Sequence, residues 1–249
     1  MGKQDTEAQW TKLMEYINTY IASPRKESLI KMYETLADKV LTAPASSHST
    51  RHNCFPGGYI DHVNRVVNCA INLYNTWSSL GADVSTYTID EVVFSAINHD
   101  LGKIGSATED YYIPNDSKWH VERGQIYKIN PKLNFMKVPD RSTYTLQEHG
   151  VPFSENEYLA IKLHDGLYSK GNESYLMAGQ PEFALKTDLP ILLHHADHLA
   201  TLIEGAIQHT GKVPEIVNVE PTKVKSKLSG INNPVTDDNL KSAFDKIFG

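Results

Sequence analysis

A histidine and an aspartate stand side by side at His99-Asp100, followed at once by Leu101-Gly102-Lys103. Two more candidate metal ligands flank them. His62 ends the run Gly57-Gly58-Tyr59-Ile60-Asp61-His62, and Asp197 sits within His194-His195-Ala196-Asp197-His198. Two imidazoles and two carboxylates, drawn from three separate apolar helical patterns, complete a ligand set for a divalent transition metal. Neutral imidazole suits iron, zinc, nickel and manganese-type ions, and carboxylate adds charge and hard oxygen. A carboxylate such as Asp100 can also bridge two ions through its two oxygens. A His-Asp dipeptide arises readily by chance, so the weight lies on the combination.

The elements that must position these residues are helical nearly throughout. Residues 7 to 22 carry Trp10, Leu13, Met14, Ile17 and Tyr20 at helical intervals, and Ser23-Pro24 ends the pattern. A second helix is expected from about Lys26 to Leu41, then a Ser-, Pro- and Gly-rich loop over 42 to 57. The third runs from about Gly58 to Leu80, with His62 on its buried stripe one turn before Val66. The fourth runs from Asp90, a plausible N-cap, to Asp100, with Gly102 as its stop. That places His99-Asp100 where a helix end meets a loop, a favoured position for a site. Further helices are expected over Ser142 to Glu148, Ser154 to Leu163 and Leu189 to His209. Ser154 with Glu157 reads as a capping box, and Asp188-Leu189-Pro190 as a helix start.

Residues 105 to 141 break the pattern. They read as a long irregular excursion with a short hairpin around Gln125 to Met136, serving either as a lid over a substrate or as a packed surface insertion. Tyr111, Tyr112 and Trp119 within it are candidates for base stacking or for the core. On a helical wheel the last long helix has its apolar arc near Leu192, Leu199 and Ile203. Asp197 falls just outside it beside Leu193 and Ala200, His195 falls inside as a core histidine, and His194 and His198 lie on the polar side. His149 and His164-Asp165-Gly166 could extend the cluster to a second ion or bind a phosphate; each histidine could equally cap a helix C-terminus.

Composition narrows the class. A 249-residue chain can bury a real core, and 40% apolar with 22% charged residues is ordinary for a globular protein. A net charge of -6 argues against a protein that coats nucleic acid, while leaving room for a locally positive phosphate pocket. There is no apolar run of about 18 residues, so no membrane span is expected. The polar start of the chain lacks a signal-peptide stretch, so a cytoplasmic location is expected. Cys54 and Cys69 have no zinc-finger spacing and read as reduced, incidental thiols. One all-α domain over 1-211, with its core at about 50-205, is expected to carry a peripheral C-terminal extension over 212-249 that ends in a short helix.

His62, then His99-Asp100 with Leu101-Gly102-Lys103, then Asp197 resembles the HD-domain superfamily of metal-dependent phosphohydrolases. The stretch from Arg51 and His52 through Phe55 and Gly57-Gly58 to His62 is similar to the segment before the first ligand in HD proteins related to 3′→5′ exoribonucleases. Phe153 to Gly166 is similar to a segment of small HD hydrolases that ends in His-His-Gly or His-Met-Gly. The resemblance implies an HD-like helical bundle holding one or two divalent ions, of manganese, iron, cobalt, nickel, zinc or magnesium. By matching positions, His62, His99, Asp100 and Asp197 would ligate the first ion, and His149 and His164 the second. Asp165 replaces the second histidine of the usual pair. Lys103 looks like the cyclic-dinucleotide and exonuclease branches, because one-metal members acting on nucleoside monophosphates carry glutamate there.

The expected activity is hydrolysis of a nucleotide phosphoester or phosphoanhydride by metal-activated water. Asp100 and Lys103 would serve catalysis; Arg51, His52, Lys103, His149 and His164 would contact the substrate. The alternatives are a 3′→5′ exonuclease or cyclic-nucleotide phosphodiesterase of the same superfamily, a di-iron HD oxygenase, and a non-catalytic nucleotide-binding HD module. The expected partner is a small nucleotide, without membrane or stable nucleic-acid binding.

Overall fold

A computed structural model describes residues 6-177 and 179-211, so the extension read over 212-249 and its short helix lie outside the described residues. The first three helices are α1 (Thr6–Tyr20), α2 (Arg25–Thr35) and α3 (Ala37–Thr42). The continuous helix expected from Lys26 to Leu41 is broken at Leu36, whose φ of -102° and ψ of 11° leave the helical region. Leu36 at the break and Val40 beyond it are both buried.

The long α4 (Gly58–Leu80) and the shorter α5 (Ile89–Asn98) form the centre. Tyr59, Ile60, Val63, Val66, Val67 and Ala70 of α4 pack on Val92, Val93, Phe94, Ala96 and Ile97 of α5 in one continuous core. The N-cap of α5 is Thr88, not Asp90. Thr88 Oγ1 accepts from Glu91 N at 3.2 Å while Glu91 Oε2 accepts from Thr88 N at 3.0 Å. Asp90 is drawn away instead to an ion pair with Arg25.

After the 3-10 turn Leu101–Ile104, the stretch expected to be irregular is ordered by β1 (Tyr112–Pro114), α6 (Lys118–Glu122) and β2 (Tyr127–Ile129). The two strands pair antiparallel, Tyr112 opposite Ile129. Only β2 falls where a hairpin was expected; its partner precedes α6 rather than following β2. Strands of three residues are too short to print an alternating pattern. The hairpin is fastened to the loop before α4 by Ser49 N to Gly124 O at 2.7 Å and Tyr127 N to Ser47 O at 3.1 Å.

The remaining helices are α7 (Val138–Glu148), α8 (Glu155–Leu163), α9 (Glu173–Leu176) and α10 (Leu189–Thr210). Helix α7 begins four residues before the expected Ser142, because Pro139 lies in its first turn, where a missing N–H costs nothing. The Ser154 capping box and the start of α10 at Leu189 are as read from the sequence. Helix α10 packs on α4, α8 and α5. Among the described residues the architecture is all-α with one small two-stranded sheet. No helix among the described residues is long and apolar enough to cross a membrane.

Away from the site, Arg25 joins three helix beginnings. Its guanidinium meets Glu157 of α8 at 2.7 and 2.8 Å, pairs with Asp90 of α5, and lies 4.4 Å from the Phe94 ring centre. Glu157 is fully buried and also caps α8, so one carboxylate serves both the helix end and the ion pair.

Candidate metal centre

The loop before α4 delivers His62 through a tight turn. Asn53 adopts φ +48° and Gly57 φ +81°. A Cβ on Gly58 would stand 2.1 Å from Asn53 O, so only glycine allows this approach. Asn53 Nδ2 then donates to Asp61 Oδ2 at 2.8 Å, locking the turn to the helix one residue before His62.

His99 is the C-cap of α5, still at helical angles with φ -55° and ψ -42°, and Asp100 leaves the helix at φ -107° and ψ 13°. Their side chains can therefore face one point. Ser142 of α7 clamps this corner: Gly102 N donates to its Oγ at 2.8 Å and its Oγ donates to His99 O at 3.0 Å. Gly102 was read as a helix stop. It instead lies inside the 3-10 turn, where a Cβ would stand 2.4 Å from Val138 O. Close approach of α7, not a left-handed conformation, demands the glycine. The turn brings Lys103 Nζ to 2.5 Å from Asp100 Oδ2.

Helix α10 supplies two carboxylates two turns apart, and they hold His62 from both sides of its ring. Asp197 Oδ1 lies 3.2 Å from His62 Nε2, and Glu204 Oε2 lies 3.1 Å from His62 Nδ1. Glu204 is buried and is also approached by Arg65 Nε at 3.3 Å. Glu204 is a site residue outside the set expected from the sequence. The available signal was its position seven residues after Asp197, a carboxylate inside an otherwise apolar stripe.

The four expected ligands converge. His62 Nε2 and His99 Nε2 are 3.3 Å apart. Asp100 Oδ2 lies 3.5 Å from His62 Nε2 and 3.4 Å from His99 Nε2, and Asp197 Oδ1 lies 3.9 Å from His99 Nε2. Donors about 2.1 Å from a common ion are separated by about 3.0 Å in octahedral and about 3.4 Å in tetrahedral geometry. The spacings of 3.2 to 3.5 Å lie in or next to that range, while the 3.9 Å from Asp197 to His99 lies beyond it.

Ring protonation supports the fit. His99 Nδ1 lies 2.8 Å from Ala96 O, a pure acceptor, so it carries the proton. His62 Nδ1 faces the Glu204 carboxylate and donates likewise. Both Nε2 lone pairs therefore point inward, as metal-binding histidines held by an outer acceptor do.

The electrostatics of the ion-free site follow from this. Burial opposes protonation of His62, but Glu204 and Asp197 together outweigh it and raise its pKa to about 10. Burial likewise opposes ionisation of Asp100, and Lys103, His99 and His164 overcome it, leaving the carboxyl well below its usual range. Asp197 is depressed in the same way, against burial, chiefly by its bond to His62 and by His99. The Lys103 ammonium is held charged, against burial, by Asp100 and by Tyr112. His52 is pushed down to about 3 by burial and by the facing His62 and Lys103.

His164 joins the same cluster. It caps α8, its Nδ1 faces Ile161 O at 2.8 Å, and its Nε2 lies 3.7 Å from Asp100 Oδ1, the other carboxylate oxygen. Ligand atoms of His99, His164 and Asp197 lie within 4.8 Å of one another. Asp165 Oδ1 is 3.7 Å from His164 Nε2 but half-exposed. His149 follows the last turn of α7 and belongs to none of the donor groups among the described residues.

His52 stacks on His62, with ring centres 4.7 Å apart, and its buried Nε2 has no partner. Arg51 is exposed beside it. Tyr112 is near enough to Lys103 and Asp100 for both to influence its hydroxyl, while Trp119 is 56% exposed and stacks on Arg123 at 3.7 Å. His195, expected in the core, is exposed against the edge of Trp77. The buried arc of α10 runs through Leu192, Leu193, Ala196 and Ala200, with Ile203 packed against the core, while Leu199, also expected inside it, is 40% exposed. His194 supports the site from behind, its Nδ1 lying 2.7 Å from His164 O.

No protein-family model matches the chain, and comparison with curated proteins and with solved structures finds no match either.

Proposed function

We propose that this chain is a metal-dependent phosphohydrolase of the HD type, acting on a nucleotide phosphoester or phosphoanhydride. One observation carries the reading: two inward-facing Nε2 atoms 3.3 Å apart, flanked by Asp100 and Asp197, beside a partly buried lysine. His62, His99, Asp100 and Asp197 would hold one divalent ion. Bound there, the ion supplies Lewis acidity, polarising a phosphoryl oxygen and making water nucleophilic near neutral pH.

The chain's own groups supply the rest. Lys103, kept charged, neutralises phosphoryl oxygens in a site where exclusion of water strengthens the attraction. Asp100 orients Lys103 through their ion pair. His52, neutral and with an unpartnered buried Nε2, offers a hydrogen-bonding group to the substrate side, and exposed Arg51 adds positive charge beside it. Tyr112 lines the same edge, close to Lys103.

A dinuclear centre, as in the oxygenase alternative, finds partial support in His164 facing the second oxygen of Asp100. Its remaining donors are sparse: Asp165 is half-exposed and His149 stands outside the donor groups. The mononuclear hydrolase is therefore the stronger reading. The test is an assay of the purified chain with manganese, cobalt, nickel or iron against nucleoside mono-, di- and triphosphates, cyclic nucleotides and short oligonucleotides. Phosphate or nucleotide release abolished by Asp100→Ala supports the proposal. Metal-loaded protein that turns over none of them contradicts it.

A further inference from the structure

Arg141 on α7 is a buried cation without a counter-charge. It is 5% exposed, yet no carboxylate among the described residues lies within ion-pair distance of it. Its one hydrogen bond among the described residues runs from Nη2 to the Asn134 carbonyl at 2.6 Å. Nε is fully buried with no partner. The nearby acids are engaged elsewhere: Glu109 with Lys132 and Asn130, Asp110 with Lys39, Asp140 with Lys162.

A buried guanidinium in this condition is costly unless something satisfies it. Arg141 lines a cavity of about 190 Å³ that also holds Tyr111, Asn130, Leu133 and Met136. Drug-sized ligands need roughly 300-1,000 Å³, so this space suits a small group rather than a whole nucleotide. The Tyr111 hydroxyl makes no hydrogen bond to a described residue and feels the Arg141 charge, which opposes the effect of burial on it. A guanidinium and a phenol hydroxyl that line the same cavity are groups suited to recognising an oxyanion.

We infer that the Arg141 cavity is a small-oxyanion site, taking the phosphate or carboxylate group of a ligand on Arg141 and Tyr111. It stands apart from the metal-ligand cluster and does not depend on the proposed hydrolysis. The 3-10 turn links the two: Gly102 packs on the Arg141 Cβ, while Lys103, next in sequence, pairs with Asp100. Tyr111 and Tyr112 likewise stand side by side, ring centres 4.8 Å apart, one lining each region.

The test uses the full chain, stripped of metal with chelator, titrated separately with inorganic phosphate and with acetate. Binding is read by calorimetry and by the arginine Nε–H resonances of ¹⁵N-labelled protein. The expected result is saturable binding of one anion that shifts the Arg141 Nε–H signal and weakens about tenfold or more in Arg141→Met. The anion that binds identifies the class of group. Because Arg141→Met also removes the bond to Asn134, the wild-type resonance stands as an independent reading, and Tyr111→Phe should weaken binding without loss of fold. The inference is overturned if neither anion binds, if the Nε–H signal stays put at saturation, or if Arg141→Met, folded, binds as well as wild type.

Discussion

His62 Nε2 and His99 Nε2 face each other across 3.3 Å, and with both Nδ1 protons committed outward neither ring, while neutral, can donate to the other. Two opposed lone pairs require a cation between or beside them. In the ion-free protein that cation is a proton on His62, held by carboxylates on both sides of its ring. A divalent ion would take its place.

Metal binding should therefore release a proton. His62 is raised to about 10, above its ordinary value, so the ion-free ring is protonated throughout pH 6 to 9. The bound ion needs the neutral ring. Apparent affinity should rise with pH, by roughly tenfold per unit where one proton is displaced. Calorimetry of manganese binding in buffers of different ionisation enthalpy measures the proton count directly; a pH-independent affinity contradicts the assignment.

Glu204→Gln should keep the fold but loosen the grip on His62, because an amide oxygen accepts the Nδ1 proton without the negative charge. Loss of such a partner typically lowers metal affinity about 10-100-fold. The measurement is a competition titration against a chromophoric chelator, with circular dichroism to confirm the fold.

Gly102→Ala tests the clamp by α7. The added Cβ would stand 2.4 Å from Val138 O, so the 3-10 turn or α7 must shift. Overpacking of this kind costs about 1-3 kcal/mol. Lower thermal stability is expected together with reduced turnover, since Asp100 caps the displaced turn and Lys103 lies within it.

Arg25→Met removes the guanidinium from a fully buried Glu157. Breaking one side of a buried pair costs about 3-5 kcal/mol. Burial already pushes the Glu157 carboxyl up, with Arg25 opposing, so the variant's carboxyl rises further. A raised folded-state pKa means that protonation stabilises the fold. The deficit should therefore shrink as pH falls through the Glu157 range and be largest at neutral pH. Urea unfolding at pH 4.5 and 7.5 reads this difference.

Parts of this architecture are written plainly in the chain. His62 lies on α4, and His99 and Asp100 follow directly on α5, two helices whose large apolar residues mark the buried face without ambiguity. The wheel of α10 was less legible. It weights Leu199, yet close packing is made by Ala196 and Ala200, whose small side chains carry little hydrophobic signal. The edge position of Asp197 survived that error because Leu193 and Ala200 bracket it on either reading. Glu204 is marked only by its spacing from Asp197, because a lone carboxylate ordinarily marks a solvated face and its partner His62 lies 142 residues away in sequence. The strands of the 105-141 region, three residues each, depend on hydrogen bonds to each other and to the loop before α4, which no local pattern encodes.

The central claim is a divalent ion on His62, His99, Asp100 and Asp197. Metal content by mass spectrometry after loading with manganese and desalting tests it most directly, on wild type beside His99→Ala and Asp100→Ala checked for fold. The account predicts at least one tightly held ion per wild-type chain and its loss from both variants. Wild-type protein without bound metal, or folded variants that retain the full complement, would contradict it.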